Sequence, residues 1–368
     1  MNKFTAISLF SGAGGMDVGF KKAGFNVLAA NELDAYACDT YEANHPDSVL
    51  FRGDINSHTE NLAKYEGVDL VFGGPPCQGF SVAGKMDAED PRSKLVFAFA
   101  NTIDRLKPLA FVMENVKALG ALSKFESVRN ELFRRFYNAG YSVSVMILNA
   151  KDFGAAQSRE RVFFIGVRRP HTNIKIGNID KYKKKAVSLR QAISHLGKAG
   201  TKYNSRICNA KITLATTPIL RKSPYAGMLF NGQGRPLNPD GWSSTLPASM
   251  GGNRTPIIDE GHLFDNEKSW VEKYHSHLMS GGQPLQLGEA PPTLRRLTVD
   301  EAALLQCFPE NYNFIGPQSK VFSQIGNAVP CNLAYAVGQA ICDALNNPSN
   351  FHTPYQIQVG EMLELELG

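Results

Sequence analysis

Short apolar runs separated by polar turns dominate the first 170 residues of the chain. The runs lie at residues 6–10, 27–30, 68–72, 109–113, 143–148 and 162–167, and a short strand end is plausible at 51–53. Runs of this length, bounded by polar residues, are typical of strands that are buried on both faces of a sheet. We therefore predict a central sheet built from these segments.

Helical periodicity fills the gaps between the runs. Apolar residues recur at helical spacing over residues 94–106 and again over 125–136. Ser123 and Glu126 have the spacing of a capping box before the second helix, and Gly140 is placed to close it. Strands that alternate with helices predict an α/β fold with a doubly wound, mostly parallel sheet.

The pattern changes near residue 170. From there to about 317, Gly, Pro, Ser, Thr and Asn are frequent and long periodic helices are absent, although Thr298 and Glu301 have capping-box spacing for one short helix. A helical pattern returns after Gln324. We predict a main domain from residues 1–172 and 318–348, a second, smaller and irregular domain from 173–317, and a peripheral tail from 349–368.

Composition narrows the class of protein. The chain has 368 residues, 43% of them hydrophobic and 20% charged, which excludes a disordered or fibrous protein and suggests about two domains. No apolar run approaches the ~18 residues that span a bilayer, and the first ten residues do not form a signal peptide, so no membrane association is expected. Six cysteines without a CxxC pair argue against a metal site or a disulfide scaffold and favour a reducing, cytoplasmic compartment.

Charge is unevenly distributed along the chain. Residues 168–222 contain fourteen Lys or Arg and one acid, so this segment carries +13 while the remainder carries −8. A basic block of this kind favours a polyanionic partner such as nucleic acid, with a solvated basic loop as the alternative.

Polar residues and glycines follow the predicted strands. In an open parallel sheet, ligands bind outside the carboxyl ends of the strands. The segments that reach this edge are residues 11–15, Glu32, Asp54, Cys77 and Glu114. Each alone is also typical of an ordinary turn, and their joint occurrence is what predicts a ligand crevice.

The glycines of residues 11–15 permit a tight turn and a close approach of a ligand to the backbone. Glu32 lies twenty residues after Gly12, the spacing of an acid that bonds ribose hydroxyls, which fits a nucleoside cofactor. The GxGxxG spacing of dinucleotide sites is incomplete. The acids Asp17, Glu32 and Asp54 disfavour a pyrophosphate and suit a cationic sulfonium nucleoside.

Cys77 stands in the frame Gly-Gly-Pro-Pro-Cys-Gln-Gly, where two prolines fix the backbone and glycines let other groups approach the thiol. This setting favours a nucleophile over the buried small hydrophobe that most free cysteines are. Glu114, after an apolar run, is a partly desolvated carboxyl that could donate a hydrogen bond or a proton to a ring nitrogen, with a helix cap as the alternative.

Gln157, Arg159 and Arg161 alternate before the run at 162–167, which predicts that their side chains share one face. Two guanidinium groups on one face suit a carbonyl oxygen, a carboxylate or a phosphate. The alternative is a surface ladder of ion pairs.

Taken in order, these residues resemble the motifs of the DNA (cytosine-5)-methyltransferases of the bacterial restriction–modification type, over about residues 5–340. The matching stretches are residues 10–15, 31–32, 54–55, 75–78, 114–116, 157–161, 295–298 with 306–309, and 324–330. The resemblance implies the Rossmann-like fold of S-adenosylmethionine-dependent methyltransferases, with S-adenosylhomocysteine as product. It also implies duplex DNA as substrate, a target-recognition role for residues 173–317, and a cognate restriction endonuclease as a plausible partner.

The resemblance also assigns residue roles. Cofactor contacts fall on Phe10, Ser11, Gly12, Gly14, Gly15, Glu32, Leu33, Asp54, Ile55, Pro76, Asn327 and Val329. Catalytic roles fall on Cys77, which would attack position 6 of a cytosine flipped out of the duplex, and on Glu114, Arg159 and Arg161. DNA contacts fall on Gln78 and Ser81, and Arg254 is a candidate base-reading residue.

Three alternatives remain open at this point. A tRNA cytosine-5 methyltransferase would share the catalytic residues, and a catalytically silent DNA-binding regulator would share the fold. A nicotinamide-dependent dehydrogenase would share the glycine loop.

Overall fold

A computed structural model of the chain describes residues 4–76, 95–169, 176–285 and 290–346. The chain forms two compact units. Unit 1 consists of Met1–Asn149, Glu160–Lys183 and Leu333–Gly368, and unit 2 consists of Ala150–Arg159 and Lys184–Asn332.

The units divide the chain at other points than the predicted domains, whose boundaries stay a prediction. Residues 150–159 belong to unit 2 because their backbone bonds to it: the Ser158 N–H donates to the Ser243 carbonyl at 2.8 Å, and Gln157 forms a β-bridge with Ser243. Residues 318–332 also belong to unit 2.

A seven-stranded sheet forms the centre of unit 1, in the order β3-β2-β1-β4-β5-β7-β6. Its strands are β1 (Phe4–Leu9), β2 (Phe25–Glu32), β3 (Val49–Arg52), β4 (Leu70–Gly73), β5 (Ala110–Val116), β6 (Tyr141–Asn149) and β7 (Glu160–Arg168). The five strands from β3 to β5 are parallel, and β7 pairs antiparallel with both β5 and β6. The predicted α/β fold with a mostly parallel sheet is confirmed.

The helices of unit 1 lie between these strands or after them along the chain. They are α1 (Gly15–Ala23), α2 (Ala35–Asn44), α3 (Thr59–Ala63), α4 (Leu95–Leu106), α5 (Lys117–Ala121), α6 (Glu126–Asn138), α7 (Ile176–Asp180) and α13 (Cys331–Asn346), the last of which belongs to unit 1 from Leu333 onward. The strands and helices of unit 1 enclose a continuous apolar core that includes Phe99, Phe111 and Phe136.

Unit 2 contains two small antiparallel sheets. One pairs β8 (Leu214–Ile219) with β9 (Met228–Phe230), and the other pairs β10 (Ile257–Asp259) with β11 (Leu294–Arg296). Its helices are α8 (Leu189–Ile193), α9 (Glu260–Phe264), α10 (Trp270–Met279), α11 (Val299–Leu305) and α12 (Gln318–Asn327). No helix in the ranges covered by the structure is both long and apolar enough to cross a bilayer.

Capping-box spacing predicted the start of one helix correctly and the start of another incorrectly. Thr298 and Glu301 form the predicted capping box of α11. The predicted box at Ser123 and Glu126 is wrong, because residues 123–125 form a separate 3₁₀ turn and Phe125 precedes α6 without a side-chain cap. The ten-residue helix α10, with Ser269 as its cap, lies in the region predicted to lack long helices.

Candidate active site

The loop after β1 leaves the strand in a left-handed backbone conformation. Phe10 has φ of +53°, Gly12 has +55° and Gly14 has +84°. The Gly14 N–H donates to the Ser11 carbonyl at 3.0 Å, and Gly14 is the cap of α1. Glycine adopts this conformation freely, whereas a bulky residue such as Phe10 is strained there. The strained residue is one of those to which the resemblance assigns a cofactor contact.

Glu32 ties the loop to the end of β2. Its Oε2 accepts a hydrogen bond from the Gly12 N–H at 2.7 Å, and its Oε1 accepts from the N–H groups of Leu33 and Asp34 at 2.9 and 2.8 Å. Burial raises the pKa of Glu32, and the three N–H donors oppose that rise. A carboxylate oxygen can accept two hydrogen bonds, so Oε2 retains the capacity to accept one from a ligand hydroxyl.

The other predicted cofactor residues of unit 1 differ in exposure. Leu33 is 69% exposed at the end of β2, whereas Ile55 is 4% exposed and belongs to the apolar core. Asp54 accepts hydrogen bonds from the N–H and the side-chain amide of Asn56, at 2.8 and 2.9 Å, and so caps a short 3₁₀ turn. Of these, Leu33 presents an apolar surface to a ligand.

Asn31 lies in the matching stretch 31–32, although no role of its own was assigned to it from the sequence. Its amide donates to the carbonyls of Phe51 and Gly53 at 2.9 and 3.0 Å, and its own carbonyl accepts from the Ser11 N–H at 3.0 Å. Asn31 therefore holds the ends of β1, β2 and β3 together. In the sequence, the signal for Asn31 is its position directly before Glu32, the acid whose spacing suits ribose hydroxyls.

Asp17 lies under the loop instead of facing a ligand. It is fully buried, its Oδ2 accepts a hydrogen bond from the Ser8 hydroxyl at 3.0 Å, and its Oδ1 accepts from the Tyr41 hydroxyl at 2.8 Å. That Asp17 suits a cationic nucleoside stays a prediction, and the structure adds that no part of its side chain reaches the surface.

Glycines at the end of β4 allow neighbouring groups to approach closely. A Cβ on Gly73 would lie 2.1 Å from the Leu9 carbonyl oxygen, and one on Gly74 would lie 2.9 Å from Glu114 Oε2. The Asn115 side-chain amide donates to the Pro75 carbonyl at 3.1 Å. The chain that leads to Cys77 is thus fastened to the end of β5.

Glu114 and Arg161 form an ion pair on neighbouring strands. Arg161 Nε lies 2.9 Å from Glu114 Oε1, and the two side chains are 14% and 11% exposed. A partly buried pair of this kind is screened less by solvent than a surface pair and fixes the orientation of the carboxylate. Pro76 is the last residue described before a gap in the structure, and the predicted site residues Cys77, Gln78 and Ser81 lie outside the described residues.

In unit 2, Gln157 and Arg159 are buried beneath the surface. Arg159 donates to the carbonyls of Leu246 and Gly326 at 3.2 and 2.8 Å. Strand β7 begins only at Glu160, so the alternation predicted for the two arginines does not extend back to Gln157 and Arg159.

Gln306, which the sequence did not single out as a site residue, connects two of the motif segments. Its Oε1 accepts from the Gln157 amide at 3.1 Å, and its own amide donates to the Ile325 carbonyl at 2.7 Å. The segment that follows carries two predicted cofactor residues, Asn327, which is exposed, and Val329, which is 5% exposed. Two buried amides and Arg159 therefore set the path of this segment within unit 2.

The segment around Arg254 is a stapled loop, that is, a loop of residues 251–255 whose ends are held by hydrogen bonds. The Gly251 N–H donates to Thr255 Oγ1 at 2.9 Å, and the buried Arg296 guanidinium donates to the Thr255 carbonyl at 2.8 Å. Asn253 and Arg254 are exposed at the tip of this loop. A rigid loop with an exposed guanidinium is a suitable element for contacting a nucleic acid.

Comparison with known proteins decides which family these features belong to. A model of the C-5 cytosine-specific DNA methylases matches residues 4–343. The chain belongs to that family. The methylase is 34% identical to the Type II methyltransferase M1.HphI of Haemophilus parahaemolyticus, over 92% of this chain and 86% of that protein. It is also 34% identical to the Type II methyltransferase M.NgoPII of Neisseria gonorrhoeae, over 92% of this chain and 96% of that protein.

The methylase also resembles solved structures. The crystal structure of the S. pombe Dnmt2 methyltransferase matches it with a TM-score of 0.66 at 17% identity, over 94% of this chain and all of that chain, which shows a shared fold. The predicted resemblance to the DNA (cytosine-5)-methyltransferases is confirmed, and the methylase is an enzyme that acts on DNA. Membership in this family excludes the nicotinamide-dependent dehydrogenase.

Many cations of the basic block are neutralised in the methylase. Within the described residues, five of them form ion pairs: Lys181 with Asp343, Lys183 with Asp180, Arg190 with Asp240, Lys198 with Asp265 and Arg206 with Asp300. The block is also divided along the chain, with its first part in unit 1 and the rest in unit 2. Because of the ion pairs, the sequence count of +13 overstates the unpaired positive charge of this block.

Proposed function

We propose that the methylase transfers a methyl group from S-adenosylmethionine to carbon 5 of a cytosine that is flipped out of a specific duplex sequence, through a transient covalent bond from Cys77. The observation that carries this proposal is the arrangement at the end of β4 and β5. There the Glu114 carboxylate is paired with Arg161 and lies against Gly74, three residues before the cysteine.

The glycine loop of unit 1 fits the proposed methyl donor. Gly12 has open space around the position of a Cβ, Glu32 Oε2 retains capacity for a ribose hydroxyl, and exposed Leu33 offers an apolar contact for adenine. When bound, S-adenosylmethionine supplies an electrophilic methyl group on a sulfonium. The loop also presents the strained Phe10, to which we assign stacking on the adenine ring.

The chain's own residues perform the remaining steps of the proposed reaction. The Cys77 thiolate adds to carbon 6 of the cytosine, and the electron pair of the 5,6 double bond then takes up the methyl group at carbon 5. Loss of the carbon-5 proton re-forms that double bond and expels the thiolate. Glu114, oriented by Arg161, holds the ring nitrogen and the exocyclic amine, while Arg159 of unit 2 is assigned to the carbonyl oxygen.

Reaching a base inside a duplex requires base flipping, which costs a few kcal/mol. We assign part of that energy to contacts from unit 2, including Arg254 at the tip of its stapled loop. A cognate restriction endonuclease is a proposed partner, since the relatives of this chain carry the names of Type II methyltransferases.

A covalent trap tests the mechanism. DNA in which the target cytosine carries fluorine at position 5 should form a complex with the methylase that survives denaturation, in the presence of S-adenosylmethionine, because the fluorine cannot leave as a proton does. Mass spectrometry should place the adduct on Cys77. Absence of any adduct under turnover conditions would refute the addition–elimination scheme.

The matched variant is Cys77→Ser. It should lose turnover while binding S-adenosylmethionine with unchanged affinity, since the loop and Glu32 do not depend on the thiol. Methyl transfer measured with DNA and tRNA side by side identifies which nucleic acid is the substrate. Methyl transfer to tRNA alone would contradict the proposed substrate.

A further inference from the structure

Asp17 is a buried carboxylate that the proposed mechanism does not use. It is fully buried in the first turn of α1, where it accepts hydrogen bonds from the Ser8 hydroxyl on β1 and from the Tyr41 hydroxyl on α2. Burying an ionisable group is costly unless hydrogen bonds or an opposite charge compensate for the water that it loses. The two hydroxyl donors compensate in part for the burial of Asp17, and they connect it to two other elements of unit 1.

The Ser8–Asp17 bond closes the base of the glycine loop. Ser8 lies at the end of β1 and Asp17 at the start of α1, so the 3.0 Å bond joins the two residues that flank residues 9–16. The tip of the same loop is held by Glu32, which accepts from the Gly12 N–H at 2.7 Å. The loop is thus fastened at two separate points.

The Tyr41 bond connects this base to the second cofactor segment. Tyr41 lies on α2, which begins at Ala35 directly after Glu32–Asp34 on the chain, and its hydroxyl donates to Asp17 Oδ1 at 2.8 Å. Asp17 therefore accepts from both sides of the predicted nucleoside site, although it does not reach the surface itself.

We propose that the Asp17 carboxylate is a positioning residue for methyl-donor binding, which sets the distance between the glycine loop and Glu32 by bonding Ser8 and Tyr41 together. This inference rests on the proposed binding of S-adenosylmethionine by that loop. A carboxylate is suited to this task because it accepts from two hydroxyl donors at once, whereas a neutral amide offers only one oxygen acceptor.

The charge state of Asp17 links donor binding to pH. Burial raises the pKa of Asp17 to about 6, against the opposing effects of the Tyr41 and Ser8 hydroxyls and of Lys21 on the same helix. His45, the residue that caps the end of α2, packs against the Tyr41 ring at a tilted angle, with 4.5 Å between the ring centroids. Burial lowers the pKa of His45 to about 3, so it stays neutral near pH 6. Below pH 6 a protonated Asp17 oxygen donates instead of accepting, and one of the two links must reverse.

The experiment compares Asp17→Asn with the wild type in direct titrations with S-adenosylmethionine. The dissociation constant of the variant at pH 8 should rise by about tenfold, as expected for the loss of one charge-assisted hydrogen bond. The KM for the donor should rise with it, while kcat at saturating donor stays near the wild-type value. The wild-type dissociation constant should also increase as the pH falls below about 6, more steeply than that of the variant.

Two controls separate this proposal from a general loss of structure. Asp69→Asn removes a carboxylate that accepts hydrogen bonds from Thr5, which lies at the opposite end of β1 from Ser8. This variant should leave donor binding unchanged. Tyr41→Phe removes one donor with little change in volume, and it should weaken donor binding without a change in the far-ultraviolet circular dichroism.

The outcomes are distinguishable from a failure of the proposed function. If the wild type does not bind S-adenosylmethionine, the proposed function fails. If the wild type binds it, and both Asp17→Asn and Tyr41→Phe bind with wild-type affinity and an unchanged pH profile, the positioning role of Asp17 is refuted. Burial also raises the pKa of Glu32, but Glu32 is present in every protein compared, so it does not affect the difference between them.

Discussion

Gly74 leaves room for the carboxylate that the chemistry requires. A Cβ at this position would lie 2.9 Å from Glu114 Oε2, closer than side-chain contacts normally allow. The carboxylate is also bonded to Arg161, so it has little freedom to move away. Position 74 therefore favours glycine because a side chain would crowd the Glu114 carboxylate, and not only because glycine makes the backbone flexible.

Gly74→Ala should displace the Glu114 carboxylate. We expect kcat to fall by about 100-fold, the effect of a misplacement on the order of an ångström at a reacting group. Donor affinity should not change, because the glycine loop and Glu32 are not involved. Methyl transfer to DNA measures the first quantity and calorimetric titration the second; a kcat that stays within about twofold of the wild type would contradict the argument.

Asp17 should make the methylase less stable as the pH rises. Its pKa is raised from 3.8 to about 6 in the folded state, so the folded chain binds this proton more tightly than the unfolded chain. The contribution to the free energy of unfolding is therefore full below pH 3.8 and is lost as the pH rises through about 6. From these values, about 1 kcal/mol is lost between pH 5 and pH 8.

The Asp17→Asn variant has no carboxyl group at this position, so its free energy of unfolding should not fall with pH for this reason. Urea unfolding of the variant and of the wild type is measured at pH 5 and at pH 8. Relative to the wild type, the variant should be more stable at pH 8 than at pH 5 by about 1 kcal/mol. His45 has the opposite sign, because burial lowers its pKa to about 3, but it contributes equally to both proteins. A difference that is independent of pH would contradict the assignment of this titration to Asp17.

The strands were predictable from the sequence because their physical cause is local. Short apolar runs such as residues 68–72 are typical of strands buried inside a sheet, and β4 is found there. The cap at Ser123 failed because a 3₁₀ turn satisfies the same polar groups without extending the helix. Helix α10 was missed because its apolar face packs inside unit 2, and only the tertiary fold reveals that contact.

The candidate site also contains features that the sequence predicted and features that it did not. Residues at strand ends, such as Glu32 and Glu114, were located by the rule that ligands bind at that edge of a parallel sheet. The hydrogen bonds of Asn31, Gln157 and Gln306 were not predicted, because these side chains donate to backbone carbonyls that are distant in sequence. No local pattern encodes such a partner.

The pairing of β5 with β7 depends on a second glycine. Phe111 lies opposite Gly166, and a Cβ on Gly166 would lie 2.0 Å from the Phe111 ring. The ring also packs 4.2 Å from that of Phe136, centroid to centroid, so it cannot readily move aside. A side chain at Gly166 would therefore strain the pairing of β5 with β7.

Gly166→Ala should destabilise unit 1 by about 2 kcal/mol through overpacking. Phe111→Leu in the same chain should recover part of this loss, so that the double variant is more stable than the sum of the single effects by about 1 kcal/mol. Chemical unfolding of the wild type and the three variants measures this coupling. Simple additivity would show that the ring and the glycine do not interact.

The charge of the whole molecule is less available for DNA than its composition suggests, because ion pairs occupy several cations of the basic block. Lys198 is paired with Asp265 at 2.8 Å, whereas Arg221 and Lys222 are exposed in the turn between β8 and β9. Counterion release depends on cations that reach phosphates. Cations of these two kinds should therefore differ in their effect on DNA binding.

Replacing exposed cations should change the salt dependence of DNA binding, and replacing a paired one should not. Arg221→Gln and Lys222→Gln should each reduce the slope of log K against log salt by about 0.9, if each cation meets one phosphate. Lys198→Gln, the matched control, should leave the slope unchanged. Binding titrations at several salt concentrations measure the slopes, and equal slopes for all four proteins would contradict this assignment.

Helix α13 has a consequence for how the chain folds as it is synthesised. Gly338 of α13 packs so closely on Phe20 and Ala23 of α1 that a Cβ would lie 2.8 Å from the Ala23 Cβ, and Gln339 donates to the Ala23 carbonyl at 3.1 Å. The seven strands of the sheet all precede α13 along the chain, so this contact with α1 can form only after residues 338 and 339 have been synthesised. A nascent chain that stalls before residue 333 therefore lacks the residues that pack on this face of α1.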